Sequence, residues 1–252
     1  MPPAEPRSPA TPAERILVAL DVPGLEQAGA LLERLGGIVS GCKIGTQLFT
    51  AAGPAAVELA RKRGFRVFLD LKFHDIPNTV NGAVREATRL GVSMLNVHAS
   101  GGVAMMRAAA EGAAGAAAEF GVPRPICLGV TVLTSLDRRA VEVEMGVTST
   151  VEAHVLHLAR LAREAGLDGC VASAREITPL RLNLGQPWVI VTPGIRASGS
   201  STGPSADDQV RTGTPAAAIR AGADYLVIGR PITAARDPAA AARAIVQECG
   251  AA

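Results

Sequence analysis

From Arg15 onward the chain repeats one pattern: a short apolar run, a polar break, then a longer stretch with apolar residues at helical spacing. Short runs of Val, Ile and Leu bounded by turn residues read as buried strands, and the longer periodic stretches read as helices with one buried face. Strands are predicted at 16–20, 42–44, 67–69, 94–97, 126–132, 170–172, 188–191 and 225–228. Helices are predicted at 25–35, 55–63, 80–90, 103–120, 151–165, 175–180, 215–221 and 238–249. About eight strand–helix units in this order predict an α/β fold, a (β/α)8 TIM barrel with its active site at the C-terminal ends of the strands. An open doubly wound sheet competes with it. That architecture would want G-x-G-x-x-G after the first strand, and Ala19-Leu20-Asp21-Val22-Pro23-Gly24 does not supply it.

Polar residues collect at one end of these strands. Strand one runs into Asp21, strand two holds Lys43, and strand three leads into Asp70 and Lys72. Asn96 and His98 end strand four, Thr131 and Thr134 end strand five, and Gly229-Arg230 follow strand eight. A buried barrel has no structural need for so much charge at one rim. Side chains on a strand alternate, so Asp70 and Lys72 point the same way. Asp75 lies beyond the strand tip, where Pro77-Asn78 turns into a helix near Thr79. An ammonium among carboxylates is costly to bury, and each pairing at ~4 Å recovers roughly 4 kcal/mol at an effective dielectric near 20. A lone D-x-K would read as a structural ion pair.

The stretch from Ala197 to Gly213 is rich in Ser, Gly, Thr and Asp, without apolar periodicity. It is long for a βα connection, which suggests a lid over the site or, alternatively, a disordered insertion. Arg196 and Gln209 near its two ends favour a lid that closes on an anion. Gly229-Arg230 suits a phosphate, through accessible backbone N–H groups and a paired donor; a tight turn with a solvated arginine is the plainer reading.

Composition narrows the function classes. The chain has 252 residues, 48% hydrophobic and 19% charged, enough for one core. A net charge of +2 with 3% aromatics carries no nucleic-acid footprint. No apolar run is long enough to cross a membrane. The segment 1–14, with prolines at 2, 3, 6, 9 and 12, reads as a disordered tail that lacks a targeting core, leaving 15–252 as a single barrel domain and the cytoplasm as the default compartment. Cys42, Cys127, Cys170 and Cys249 show no C-x-x-C spacing, and three lie in apolar runs, so buried free thiols are expected. His154 and His157 are expected to face solvent from a helix. His74 and His98 read as structural groups; as metal ligands they would suggest a pentose-phosphate epimerase, a metal-assisted barrel.

The string Asp70-Leu71-Lys72-Phe73-His74-Asp75-Ile76-Pro77-Asn78-Thr79 closely resembles the active-site signature of the orotidine 5'-monophosphate decarboxylase family. The likeness extends from Arg15 to about Pro238. It takes in Asn96-Val97-His98-Ala99-Ser100-Gly101-Gly102, Thr131-Val132-Leu133-Thr134-Ser135, Val191-Thr192-Pro193-Gly194-Ile195-Arg196 and Val227-Ile228-Gly229-Arg230-Pro231. The resemblance implies decarboxylation of orotidine 5'-monophosphate to UMP, with no cofactor and no metal. It implies that Asp21 binds a ribose hydroxyl and that Lys43, Asp70, Lys72 and Asp75 form an alternating charged array with Lys72 as proton donor. Thr134 would contact the pyrimidine, and Arg196, Gln209, Gly229 and Arg230 would serve the phosphate. Asp75 and Thr79 would complete the site of the neighbouring subunit in a homodimer. A non-catalytic nucleotide sensor would explain Gly229-Arg230 and the lid, but leaves Asp70, Lys72 and Asp75 without a role.

Overall fold

The structure, a computed structural model, describes residues 9–196 and 211–252. Its strands are β1 (Ile16–Ala19), β2 (Gly41–Gly45), β3 (Arg66–Phe73), β4 (Met94–His98), β5 (Ile126–Val130), β6 (Gly169–Val171), β7 (Val189–Thr192) and β8 (Tyr225–Ile228). They pair in parallel in chain order, and β8 returns to β1 to close the barrel. Strands covered on both faces need apolar residues on both, which is why the sequence shows unbroken runs. Leu17, Ala19, Phe68, Met94, Leu128, Val189, Val191, Tyr225 and Val227 fill the interior. The residues between them face outward into a second core shared with the helices.

The helices are α1 (Leu25–Leu35), α2 (Thr46–Ala52), α3 (Pro54–Lys62), α4 (Pro77–Arg89), α5 (Gly102–Phe120), α6 (Val151–Glu164), α7 (Ile177–Leu184), α8 (Pro215–Ala221), α9 (Arg230–Thr233) and α10 (Pro238–Gly250). Their starts carry local signals. Proline opens α3, α4, α8 and α10, where its missing N–H and fixed φ cost nothing. Thr150, Thr214 and Asp237 each accept a backbone N–H from the first turn that follows.

Several features differ from the sequence expectation, among them α7, which runs to Leu184 instead of ending at 180. Strand β3 continues through Phe73 instead of ending at Leu69, and its register with β4 shifts between those residues. Helices α2 and α9 are additional, as is a π-helical turn at Ala140–Glu144 in the connection after β5. Strand β5 stops at Val130, two residues early. The supposed tail is ordered at its end: Thr11 and Glu14 cap each other around the 3-10 helix Pro12–Arg15, and Arg66 donates to the Glu14 carbonyl at 2.9 Å. The part of that tail at 1–8 lies outside the described residues.

All four cysteines are buried and free. Burial pushes the thiols of Cys42, Cys127 and Cys170 up to about 12 and that of Cys249 to about 11. Among the described residues no helix is long and apolar enough to cross a membrane.

Candidate active site

A cavity of about 480 Å³ opens at the C-terminal end of the barrel. Its floor is the top of the interior core, Ala19, Phe68 and Val227. The strand register brings the charges above that floor to one place. Ala19, Lys43 and Phe68 lie at one level of β1, β2 and β3, and Gly45 and Asp70 are paired one step higher. Lys43 Nζ therefore sits 3.0 Å from Asp21 Oδ1 and 3.3 Å from Asp70 Oδ2. Lys72 Nζ lies 2.7 Å from Asp70 Oδ1. The result is an alternating row, Asp21–Lys43–Asp70–Lys72, running across three strands.

Burial is uneven along this row. The side chains of Lys43 and Asp70 are each 11% exposed, whereas Lys72 is 33% exposed and Asp21 55%. Desolvation would lower the Lys43 pKa, but the carboxylates of Asp70 and Asp21 outweigh it and raise the value. Lys43 thus holds the two carboxylates in place as a fixed cation. Lys72 lies nearer the opening, one ion pair from the interior, where a ligand can reach it.

Backbone detail supports the row. Lys72 has φ +52°, the only positive value on a non-glycine residue among those described. A left-handed lysine costs roughly 1–2 kcal/mol. Asn96, 1% exposed in the middle of β4, holds that turn: its Oδ1 accepts the Lys72 N–H at 2.9 Å, and its Nδ2 donates to Asp70 Oδ1 at 2.7 Å. One amide thus fixes both the backbone that aims Lys72 and the carboxylate beside it. Gly45 leaves the space. A Cβ there would come within 2.9 Å of Lys43 Nζ and 3.2 Å of Asp21 Oδ1.

Other expected residues fall around the same cavity. Thr134 lines it from the connection after β5 and Arg196 from the end of β7. Gly229 and Arg230 line it where β8 passes into α9. Asp75 and Thr79 do not line it; both are exposed, and Asp75 Oδ1 accepts the N–H of Ile76 at 2.6 Å. Gln209 and the lid segment 197–210 lie outside the described residues. His74 and His98 stand off the cavity with ring centroids 5.2 Å apart. Desolvation, with His74 and Lys72 nearby, lowers the pKa of His98 against the pull of Asp70. His157 is exposed as expected, while His154 is half-buried.

The sequence marks Asn96 as polar near the rim without assigning it a role; a short polar side chain inside an apolar strand is the available signal. Gly45 carried none, because its role depends on a neighbouring strand.

Comparison with known proteins covers nearly the whole chain. A curated relative from Moorella thermoacetica, named orotidine 5'-phosphate decarboxylase, is 57% identical over 93% of this chain and 92% of its own length. One of the same name from Halorhodospira halophila is 52% identical over 94% and 97%. The crystal structure of orotidine 5'-phosphate decarboxylase from Lactobacillus acidophilus superposes with a TM-score of 0.80 at 35% identity, covering 94% of this chain and 99% of that one. The family model described as "Orotidine 5'-phosphate decarboxylase / HUMPS family" matches residues 14–245. With a closed eight-stranded barrel, a charged row at its C-terminal rim and these matches from end to end, the chain belongs to the orotidine 5'-phosphate decarboxylase / HUMPS family.

Proposed function

We propose that this enzyme decarboxylates orotidine 5'-monophosphate to UMP in pyrimidine biosynthesis, with Lys72 as proton donor. The supporting observation is the Asp70–Lys72 pair, 2.7 Å apart, lining one cavity together with Arg196 and Arg230. Such a cavity suits a ligand with a reacting carboxylate at one end and a phosphate at the other.

The bond between C6 and the carboxylate carbon breaks, its electron pair remains on C6, and CO2 departs. Negative charge develops at C6, and the Lys72 ammonium stabilises it before transferring a proton to that carbon. The neutral amine then regains a proton from solvent. Asp70, held by Lys43 and Asn96, crowds the substrate carboxylate, and that contact is relieved as neutral CO2 forms. Arg230 and Gly229 take the phosphate, Asp21 a ribose hydroxyl and Thr134 the pyrimidine. Binding energy gathered at the phosphate keeps the reacting carbon against Lys72. No metal or cofactor enters this scheme, since the chain supplies its own cation at the reacting atom.

The working unit in this reading is a cytoplasmic homodimer. Asp75 and Thr79 reach the partner's site from beyond the tip of β3, which accounts for their exposure and their absence from their own chain's cavity.

Purified protein incubated with orotidine 5'-monophosphate should release CO2 and UMP, and should keep doing so after EDTA treatment and dialysis. No turnover would sink the substrate assignment. Turnover lost on chelation and restored by added metal would sink the lysine-only mechanism.

A further inference from the structure

Among the described residues, three arginine–carboxylate pairs that are at least half-buried brace this barrel, and one of them stands apart by its place. Arg124 meets Asp168 at the start of β6, and Arg181 meets Asp224 at the start of β8. Both lie at the N-terminal end of the strands, the face that serves stability in such barrels. The third pair, Arg211 with Glu176, lies at the opposite, chemical end. It is also the most deeply buried, with Arg211 4% and Glu176 1% exposed. An ion pair that far from water needs most of its donors and acceptors engaged, and Arg211 Nε alone among its side-chain polar atoms has no partner among the described residues.

The partners lie on two other connections, so that with Arg211's own connection after β7 three are joined. One oxygen of Glu176 accepts Arg211 Nη1, and the other accepts both the N–H and the hydroxyl of Ser173, in the turn after β6. Arg211 Nη2 donates to the carbonyls of Val132 at 3.1 Å and Leu133 at 3.0 Å, in the connection after β5. Two residues beyond Arg211, the Gly213 carbonyl accepts the Arg196 N–H at 2.9 Å, in the connection after β7. Leu133, Thr134 and Arg196 all line the cavity, and Arg211 does not.

We propose that Arg211 is a positioning residue: through Glu176 and the Val132 and Leu133 carbonyls it fixes Thr134 relative to Arg196, so that the base and phosphate ends of the substrate are gripped in one geometry. This rests on the substrate reading above. It assigns Arg211 and Glu176 a part in turnover without contact with the substrate. A merely structural brace would alter stability and leave the contribution of Thr134 intact.

The test is a double-mutant cycle on kcat/KM for orotidine 5'-monophosphate. The perturbation is the charge-neutral pair Arg211→Gln/Glu176→Gln, with Arg211→Lys, which keeps a cation opposite Glu176 but loses the fork to the Val132 and Leu133 carbonyls, as the milder variant should the pair fold poorly. The partner mutation is Thr134→Ala, which should cost wild type about fivefold, as loss of one neutral hydrogen bond does. The neutral pair should lower kcat/KM by about tenfold or more, and adding Thr134→Ala should then cost less than about twofold. Effects that simply multiply, or a neutral pair with unchanged kcat/KM, would overturn the inference. If wild type itself released no CO2, the substrate reading would fail, and amide hydrogen exchange across residues 131–135 would decide this one. Faster exchange in the variant supports it, and equal exchange overturns it.

Discussion

Replacing Asn96 with alanine probes the row without touching a residue that lines the cavity. The change removes a 2.7 Å bond to the ionised Asp70 and a 2.9 Å bond from the Lys72 N–H. A hydrogen bond to a charged group is worth about 1.5–3 kcal/mol and a neutral one about 0.5–1.5 kcal/mol, and the two share a side chain, so they do not simply add. Asp70 keeps its ion pairs to Lys43 and Lys72, which limits the loss. The left-handed turn at Lys72 loses its buried acceptor, however, and the ammonium loses its aim. We expect kcat to fall by about ten- to a hundredfold, equivalent to about 1.4–2.8 kcal/mol of barrier, with KM changed by less than about threefold. Loss of the orotate chromophore on decarboxylation provides a continuous ultraviolet assay. Asn96→Asp should be worse than alanine, because it buries a second carboxylate against Asp70. A kcat within about twofold of wild type in the alanine variant would refute the view that this amide sets the geometry of Asp70 and Lys72.

Other expectations follow from the same geometry. Lys72→Gly should be more stable to urea than Lys72→Ala by about 1 kcal/mol, since glycine accepts φ +52° without strain; equal midpoints would mean that the turn stores none. Stability should also fall on mild acidification. His98 titrates below its ordinary value when folded, so once the pH drops below about 6.5 the unfolded chain binds more protons, and stability declines until the folded value is passed. Urea midpoints for His98→Gln should be flatter over that window, and an unchanged slope would remove His98 as the source. If the proposed dimer shares its sites, Lys72→Ala and Asp75→Ala chains, each expected to be inactive alone, should on subunit exchange regain activity in about a quarter of all sites, because about half of the dimers are mixed and each has one intact site. Mixed dimers verified by native mass measurement but still inactive would place Asp75 in its own chain's site.

Much of this architecture was legible in the sequence because parallel strands buried on both faces write themselves as unbroken apolar runs. The starts expected at 215 and 238 coincide with the prolines that open α8 and α10. What escaped detection had a physical cause in each case. Asp70 and Lys72 break the apolar run, so the pattern ends strand β3 at Leu69, yet the backbone continues to Phe73, with Asn96 of β4 bonded to both residues and Lys43 of β2 to Asp70. Helix α2, with the sequence TQLFTAA, is short and weakly patterned, and α9 has only four residues. Arg211 fell in a stretch without periodicity, and nothing local marks an arginine whose partners lie 35 and 79 residues away. Asp21, Lys43, Asp70 and Lys72 were visible because charge at the end of a buried strand is conspicuous. Asn96 and Gly45 were harder to see, since their roles exist only once neighbouring strands are in register.

The measurement that bears most directly on the central claim is turnover by Lys72→Ala beside its affinity for UMP. In the proposed mechanism Lys72 both stabilises the carbanionic centre and protonates it, so its loss should lower kcat by at least about a thousandfold. Asp21, Thr134 and Arg230 remain in place, so UMP should still bind within about tenfold of wild type by calorimetry. Collapse of turnover with binding retained is the predicted result; a kcat within about tenfold of wild type would contradict the assignment of Lys72 as proton donor.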